Sequence, residues 1–77
     1  MSSPAIQVTA DFYAIRIHIS GALHMHLDRS KLLAMHSWCD HLTSYSIEYV
    51  MTGGAMVTEY TDRGKWAAVL AGLEEVL

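Results

Sequence analysis

Residues Phe12 to Ser20 alternate, with Ile15, Ile17 and Ile19 at one set of positions and Arg16, His18 and Ser20 at the other. A period of two marks a strand with one buried and one solvated face. Gly21 breaks the run and Leu23 to Leu27 resumes an extended pattern, so the segment predicts a hairpin. A three-residue loop, Gly21-Ala22-Leu23, sets Ile19 opposite Met25 and Ile17 opposite Leu27, gathering the large apolar side chains on one side. The same register sets His18 opposite His26 and Arg16 opposite Asp28 on the other side.

A second hairpin is predicted around Gly53-Gly54, because both central positions of a type I′ turn need the positive φ that glycine adopts cheaply. Pairing outward from it puts Ile47, Tyr49, Met51, Met56, Thr58 and Tyr60 on one face and Glu48, Val50, Val57 and Glu59 on the other. Glu48 then opposes Glu59, a like-charge pair that requires a cation, a partner or a shifted register to relieve it.

The two hairpins belong to a weak internal repeat. Tyr13-Ala14-Ile15-Arg16 returns as Tyr45-Ser46-Ile47-Glu48, and Ser20-Gly21-Ala22 as Thr52-Gly53-Gly54. Asp28-Arg29-Ser30-Lys31-Leu32 returns as Asp62-Arg63-Gly64-Lys65-Trp66. Both aspartates stand where a carboxylate accepts from the unpaired amides of a first helical turn. After Asp62, the apolar positions Trp66, Val69, Leu70, Leu73, Val76 and Leu77 recur at three and four, and Ala67, Ala68, Ala71 and Gly72 form a small-residue flank suited to close packing. The repeat predicts a matching helix from Arg29 to Leu42 that buries Leu32, Met35, His36, Cys39 and Leu42, with Asp40 and His41 ending it on the solvent side.

The predicted architecture is therefore a single compact α+β domain over residues 1–77, a four-stranded antiparallel sheet with two helices on one face in a ββαββα pseudo-repeat. Residues 1–5 are expected to be a flexible N-terminus, 12–42 the first ββα unit and 45–77 the second. The other sheet face is left open, and Arg16, His18, His26, Glu48, Val50, Val57 and Glu59 are the candidate partner-binding residues on it, with His24 nearby.

Composition sharpens that expectation. The chain is 52% hydrophobic and only 17% charged, although a domain of this size has a high surface-to-volume ratio and normally covers itself with charge. Some apolar surface is left for a partner. A net charge of −3 with five Lys or Arg residues provides no basic stripe for phosphates, so direct nucleic-acid binding is not expected. A single cysteine forms no intramolecular disulfide, the first residues lack a secretory pattern, and no apolar run approaches a membrane span, so a soluble cytoplasmic protein with no membrane partner is expected.

Candidate chemistry is sparse. His18, His24 and His26 are the one cluster with metal-ligand character, and a zinc site on them, in a metal-binding protein or metalloenzyme, is the alternative to exposed, unliganded histidines. His36 with Cys39 reads as a core pair sooner than a reactive one. Gly53-Gly54 lacks the Gly-Lys-Ser/Thr of a phosphate loop, and the tryptophans and tyrosines lack the Lys and Arg of a base-stacking platform. The expected function is non-enzymatic and cofactor-free: a protein–protein interaction module, with a homodimer among the possible assemblies. Small single-domain chains of this character are often encoded by phages and other mobile elements as inhibitors of host complexes, anti-CRISPR proteins among them, and localise to the host cytoplasm. That is a base-rate analogy carried by no motif.

Overall fold

The computed structural model describes residues 5–40 and 43–77. It contains two separate three-stranded antiparallel sheets and one C-terminal helix, in place of the expected four-stranded sheet with two helices. The first sheet is a meander of β1 (Ile6–Ala10), β2 (Ala14–Ile19) and β3 (Ala22–Asp28), and the second of β4 (Leu32–Asp40), β5 (Ser44–Met51) and β6 (Gly54–Tyr60). Helix α1 spans Arg63–Val76.

The element absent from the sequence reading is β1. Its alternation of Ile6, Val8 and Ala10 with Gln7 and Thr9 pairs it along the whole length of β2, from Ile6 opposite Ile19 to Ala10 opposite Ile15. Of the expected flexible N-terminus only Ala5 is described, and its carbonyl accepts from the Ser20 amide at 2.8 Å.

The first hairpin forms, but in another register. Ser20 (φ 51°) and Gly21 (φ 82°) are its two turn residues, the paired left-handed conformation of a type I′ turn. Ile19 then opposes Ala22, and His24 is an extra residue in β3 that restores the facing, so that Ile17 meets Met25 and Ile15 meets Leu27. Arg16 faces His26 and Ala14 faces Asp28, not the His18–His26 and Arg16–Asp28 pairs of the three-residue loop. A bulge thus keeps histidines out of the core with only two turn residues.

In the second hairpin the turn residues are Thr52 and Gly53, with Gly53 at φ 96° and Gly54 already pairing with Met51. The register moves by two positions, which preserves both faces and sets Glu48 against Val57 and Glu59 against Ser46. The like-charge conflict disappears.

The largest correction is the segment after Asp28. Its carboxylate does start a helical turn, accepting from the Ser30 amide at 3.0 Å, but the turn is a 3-10 turn of Arg29–Lys31 and the chain then extends as β4. The three-residue spacing of Leu32 and Met35 resembles a helix because β4 carries a bulge: Leu32 pairs with Met51, Ala34 with Val50, and Leu33 is the additional residue between them. One extra residue puts Leu32 and Met35 on the same side of a strand, where both pack against the core. His36 and Cys39, expected to be buried, are exposed. Asp40 ends β4, and His41 and Leu42 lie outside the described residues.

The second Asp-led segment follows the expectation. Asp62 accepts from the amides of Gly64 and Lys65, and a full helix follows. Its Val69 and Leu73 are completely buried with Ile15, Ile17 and Leu27 of the first sheet and Ile47, Tyr49 and Tyr60 of the second. The inward faces of both sheets and one stripe of α1 therefore close on one core. Trp66 reaches β5, its indole N–H donating to the Ser46 carbonyl at 3.1 Å and its ring lying 5.2 Å from that of Tyr45. Along the small-residue flank α1 lies so close to β1 that a Cβ on Gly72 would stand 2.5 Å from Val8 Cγ2.

Candidate functional site

The candidate partner-binding residues divide between two surfaces. Arg16, His18 and His26 lie on the outward face of the first sheet, alternating with the buried Ile15, Ile17 and Leu27. Glu48, Val50, Val57 and Glu59 lie on the outward face of the second, alternating with Ile47 and Tyr49. One open face holding all seven does not exist, because the four strands expected to form a single sheet belong to two.

The zinc alternative fares similarly. The bulge turns His24 toward the second sheet, where its Nε2 is 3.1 Å from the Tyr60 hydroxyl and the rings lie 5.7 Å apart. His18 is paired with Leu23, and His26 with Arg16. Among the described residues no group of three His, Cys, Asp or Glu side chains is placed to hold a metal ion.

The most distinctive surface stands at the end of the first sheet, in the loop Asp11-Phe12-Tyr13 between β1 and β2. Phe12 is 92% exposed and Tyr13 80%, whereas the next two residues, Ala14 and Ile15, are buried. Two adjacent aromatic side chains standing in water forgo the transfer free energy of roughly 1.5–3 kcal/mol that burial gives a side chain of this size.

The loop holding them is ordered by hydrogen bonds. One oxygen of Asp11 accepts from the amides of Tyr13 and Ala14, both at 2.8 Å, and the Asp11 amide donates to the Ala14 carbonyl at 3.0 Å. This is an aspartate turn of the kind that fixes a short loop without help from a regular element. The other carboxylate oxygen meets Arg16 Nη1 at 3.3 Å. Arg29 fastens the loop from below: its amide donates to the Tyr13 carbonyl at 2.9 Å, Nη1 to the Asp11 carbonyl at 3.0 Å, and Nη2 to the Val76 carbonyl at 3.2 Å. The last contact also places a cation at the negative end of the α1 dipole. The amides of Tyr13 and Ala14, then the Arg16 guanidinium, hold the Asp11 carboxyl below the usual aspartate range. Asp28 is lowered as well, chiefly by the Ser30 hydroxyl that donates to it at 2.7 Å.

Beside the tip, Tyr13, Ala14, Arg16, His26 and Asp28 line a depression of about 430 Å³. Two of the sequence-derived candidates, Arg16 and His26, thus adjoin the aromatic pair. Phe12 and Tyr13 are not among those candidates, because the alternating run takes in Phe12 as part of the strand. The available signal was Asp11, a turn-forming residue directly before two aromatics that break the isoleucine period. The chain matches no family model, no curated protein and no solved structure.

Proposed function

We propose that this protein is a non-enzymatic interaction module that acts by docking the Phe12–Tyr13 tip into an apolar pocket of another protein. The observation that carries this reading is the pairing of near-complete exposure with a hydrogen-bonded loop: the aromatics are presented, and the cost of ordering the backbone beneath them is met before binding. Aromatic anchors surrounded by polar neighbours are the usual form of a binding hot spot, and Arg16, His26 and Asp28 supply that rim. The mildly acidic charge and single cysteine support a cytoplasmic partner and a mode of action by occlusion, as inhibitors of larger complexes use.

The test is quantitative affinity capture from an extract of the source cell, comparing the parent with Phe12→Ser/Tyr13→Ser and with Val50→Lys/Val57→Lys. Circular dichroism establishes that all three fold. The tip variant is expected to lose the partner by roughly 30-fold or more, the scale of one hot-spot side chain, while the second-sheet variant retains it. If the tip variant captures the same partner undiminished, the tip is not the interface. Loss in the Val50/Val57 variant alone moves the interface to the outward face of the second sheet.

A further inference from the structure

The edge of the second sheet is a separate exposed feature of the fold. Strand β4 pairs with β5 on one side, and among the described residues no strand pairs with the other. Of its nine residues only Leu32 and Met35 are partly buried. The open side is a row of backbone donors and acceptors whose chemical complement is another strand.

Folded proteins usually blunt such an edge with lysine, proline, a bulge or a covering element. The first sheet does so: β1 lies against α1 at Gly72, and β3 is bulged at His24 and tied to Tyr60 of β6. In β4 the bulge at Leu33 sits near the start, and the stretch Ala34 to Cys39 contains no lysine, proline, aspartate or glutamate. The charges stand at the two ends, Lys31 just before the strand and Asp40 as its last residue. Among the described residues neither is in an ion pair within the chain, the pair formed being Arg16–Asp11.

This arrangement is complementary to itself in one orientation. Two β4 strands running antiparallel bring Lys31 of each copy toward Asp40 of the other, whereas parallel strands set like charge beside like. A two-fold axis near His36 also places the large Trp38 opposite the small Ala34 at both symmetric positions of the outward face. We infer that the chain self-associates through β4, pairing antiparallel with β4 of a second copy about an axis near His36, so that two three-stranded sheets become one of six. This surface is distinct from the aromatic tip, and either can fail without the other.

Sedimentation equilibrium across a range up to about 100 μM gives the mass, since the dimer population depends on protomer concentration. The single cysteine, Cys39, is exposed on the same strand and takes a nitroxide label, so electron–electron dipolar spectroscopy reads the geometry. With the axis at His36 the two Cys39 Cα atoms are separated by six residues of strand, roughly 20 Å at 3.4 Å per residue. Ser37→Lys and Trp38→Lys, each introducing an edge lysine, are expected to give monomers with unchanged circular dichroism. Lys31→Glu is expected to weaken the dimer several-fold and Lys31→Glu/Asp40→Lys to restore it. A mass that stays monomeric throughout overturns the proposal, even if a foreign strand occupies the edge. So does a dimer whose labels lie beyond about 30 Å, a separation too long for this register, or one that survives both lysine variants.

Discussion

Replacing Gly72 with alanine tests how tightly helix and edge strand are joined. At an exposed helical position the change is favourable by about 1 kcal/mol, because glycine has the greater backbone freedom to lose. Here the new methyl would meet Val8 Cγ2 at 2.5 Å and Val8 Cβ at 2.8 Å, against an ordinary carbon–carbon contact of about 3.5–4.0 Å. A rotamer change moves Cγ2 aside, but Cβ is fixed to the β1 backbone, so α1 and β1 must part by roughly 1 Å. Overfilling of this kind costs about 1–3 kcal/mol, and separating β1 also loosens Ile6, Val8 and Ala10 against the core. The packing loss outweighs the propensity gain, and a net destabilisation of about 1 kcal/mol is expected, lowering Tm by roughly 4–8 °C in a domain of this length. Thermal and urea melts followed by far-ultraviolet circular dichroism measure it. In a Val8→Ala background, which removes both Cγ atoms, the penalty should shrink by at least about 0.5 kcal/mol. A higher Tm for Gly72→Ala in the parent, with no dependence on residue 8, would refute the close approach.

Two other perturbations have definite expected outcomes. Tyr49 is fully buried, among the described residues its hydroxyl makes no well-formed hydrogen bond although the Thr58 and Tyr60 hydroxyls lie near it, and burial pushes its phenol up; Tyr49→Phe should therefore leave stability unchanged or raise it by up to about 1–2 kcal/mol, and a loss of more than about 1 kcal/mol in urea melts would show that one of those hydroxyls bonds it. The folded-state value of Asp11 lies below its unfolded one, so its contribution to loop order is present above the ordinary aspartate range and lost as pH falls through the lowered value. Protection of the Tyr13 and Ala14 amides, taken relative to intrinsic exchange at each pH, should fall in acid and in Asp11→Asn, and protection indifferent to both would remove Asp11 as the organiser of the tip.

Much of the local structure was written in short-range patterns. The isoleucines of β2, the faces of β5 and β6, both aspartate caps and the apolar stripe of α1 can be read from spacing and capping chemistry alone. Matched caps do not imply matched elements. Asp28 and Asp62 each nucleate a turn, but after Asp62 come residues with α1-forming spacing, while after Asp28 the run Ser37-Trp38-Cys39 has weak helix propensity and an eight-residue partner in β5. Strand pairing is a long-range choice, and the bulge at Leu33 disguised it as a helical spacing. The same long-range choice separated Arg16, His18 and His26 from Glu48, Val50, Val57 and Glu59. At the tip, Asp11 carried a turn signal, whereas the exposure of Phe12 and Tyr13 depends on where the sheet ends, which composition does not record.

The Arg29 clasp has a practical consequence for handling the molecule. Its guanidinium joins the Asp11 carbonyl to that of Val76, so any polypeptide continuing past the end of α1, whether an affinity handle, a fluorescent reporter or a native extension, departs from beside the two exposed aromatics. An attachment there shields the very residues a capture experiment is meant to offer, and it also competes for the guanidinium that steadies them. Immobilisation through the exposed side chain of Cys39, on the far edge strand, leaves that end of the molecule open.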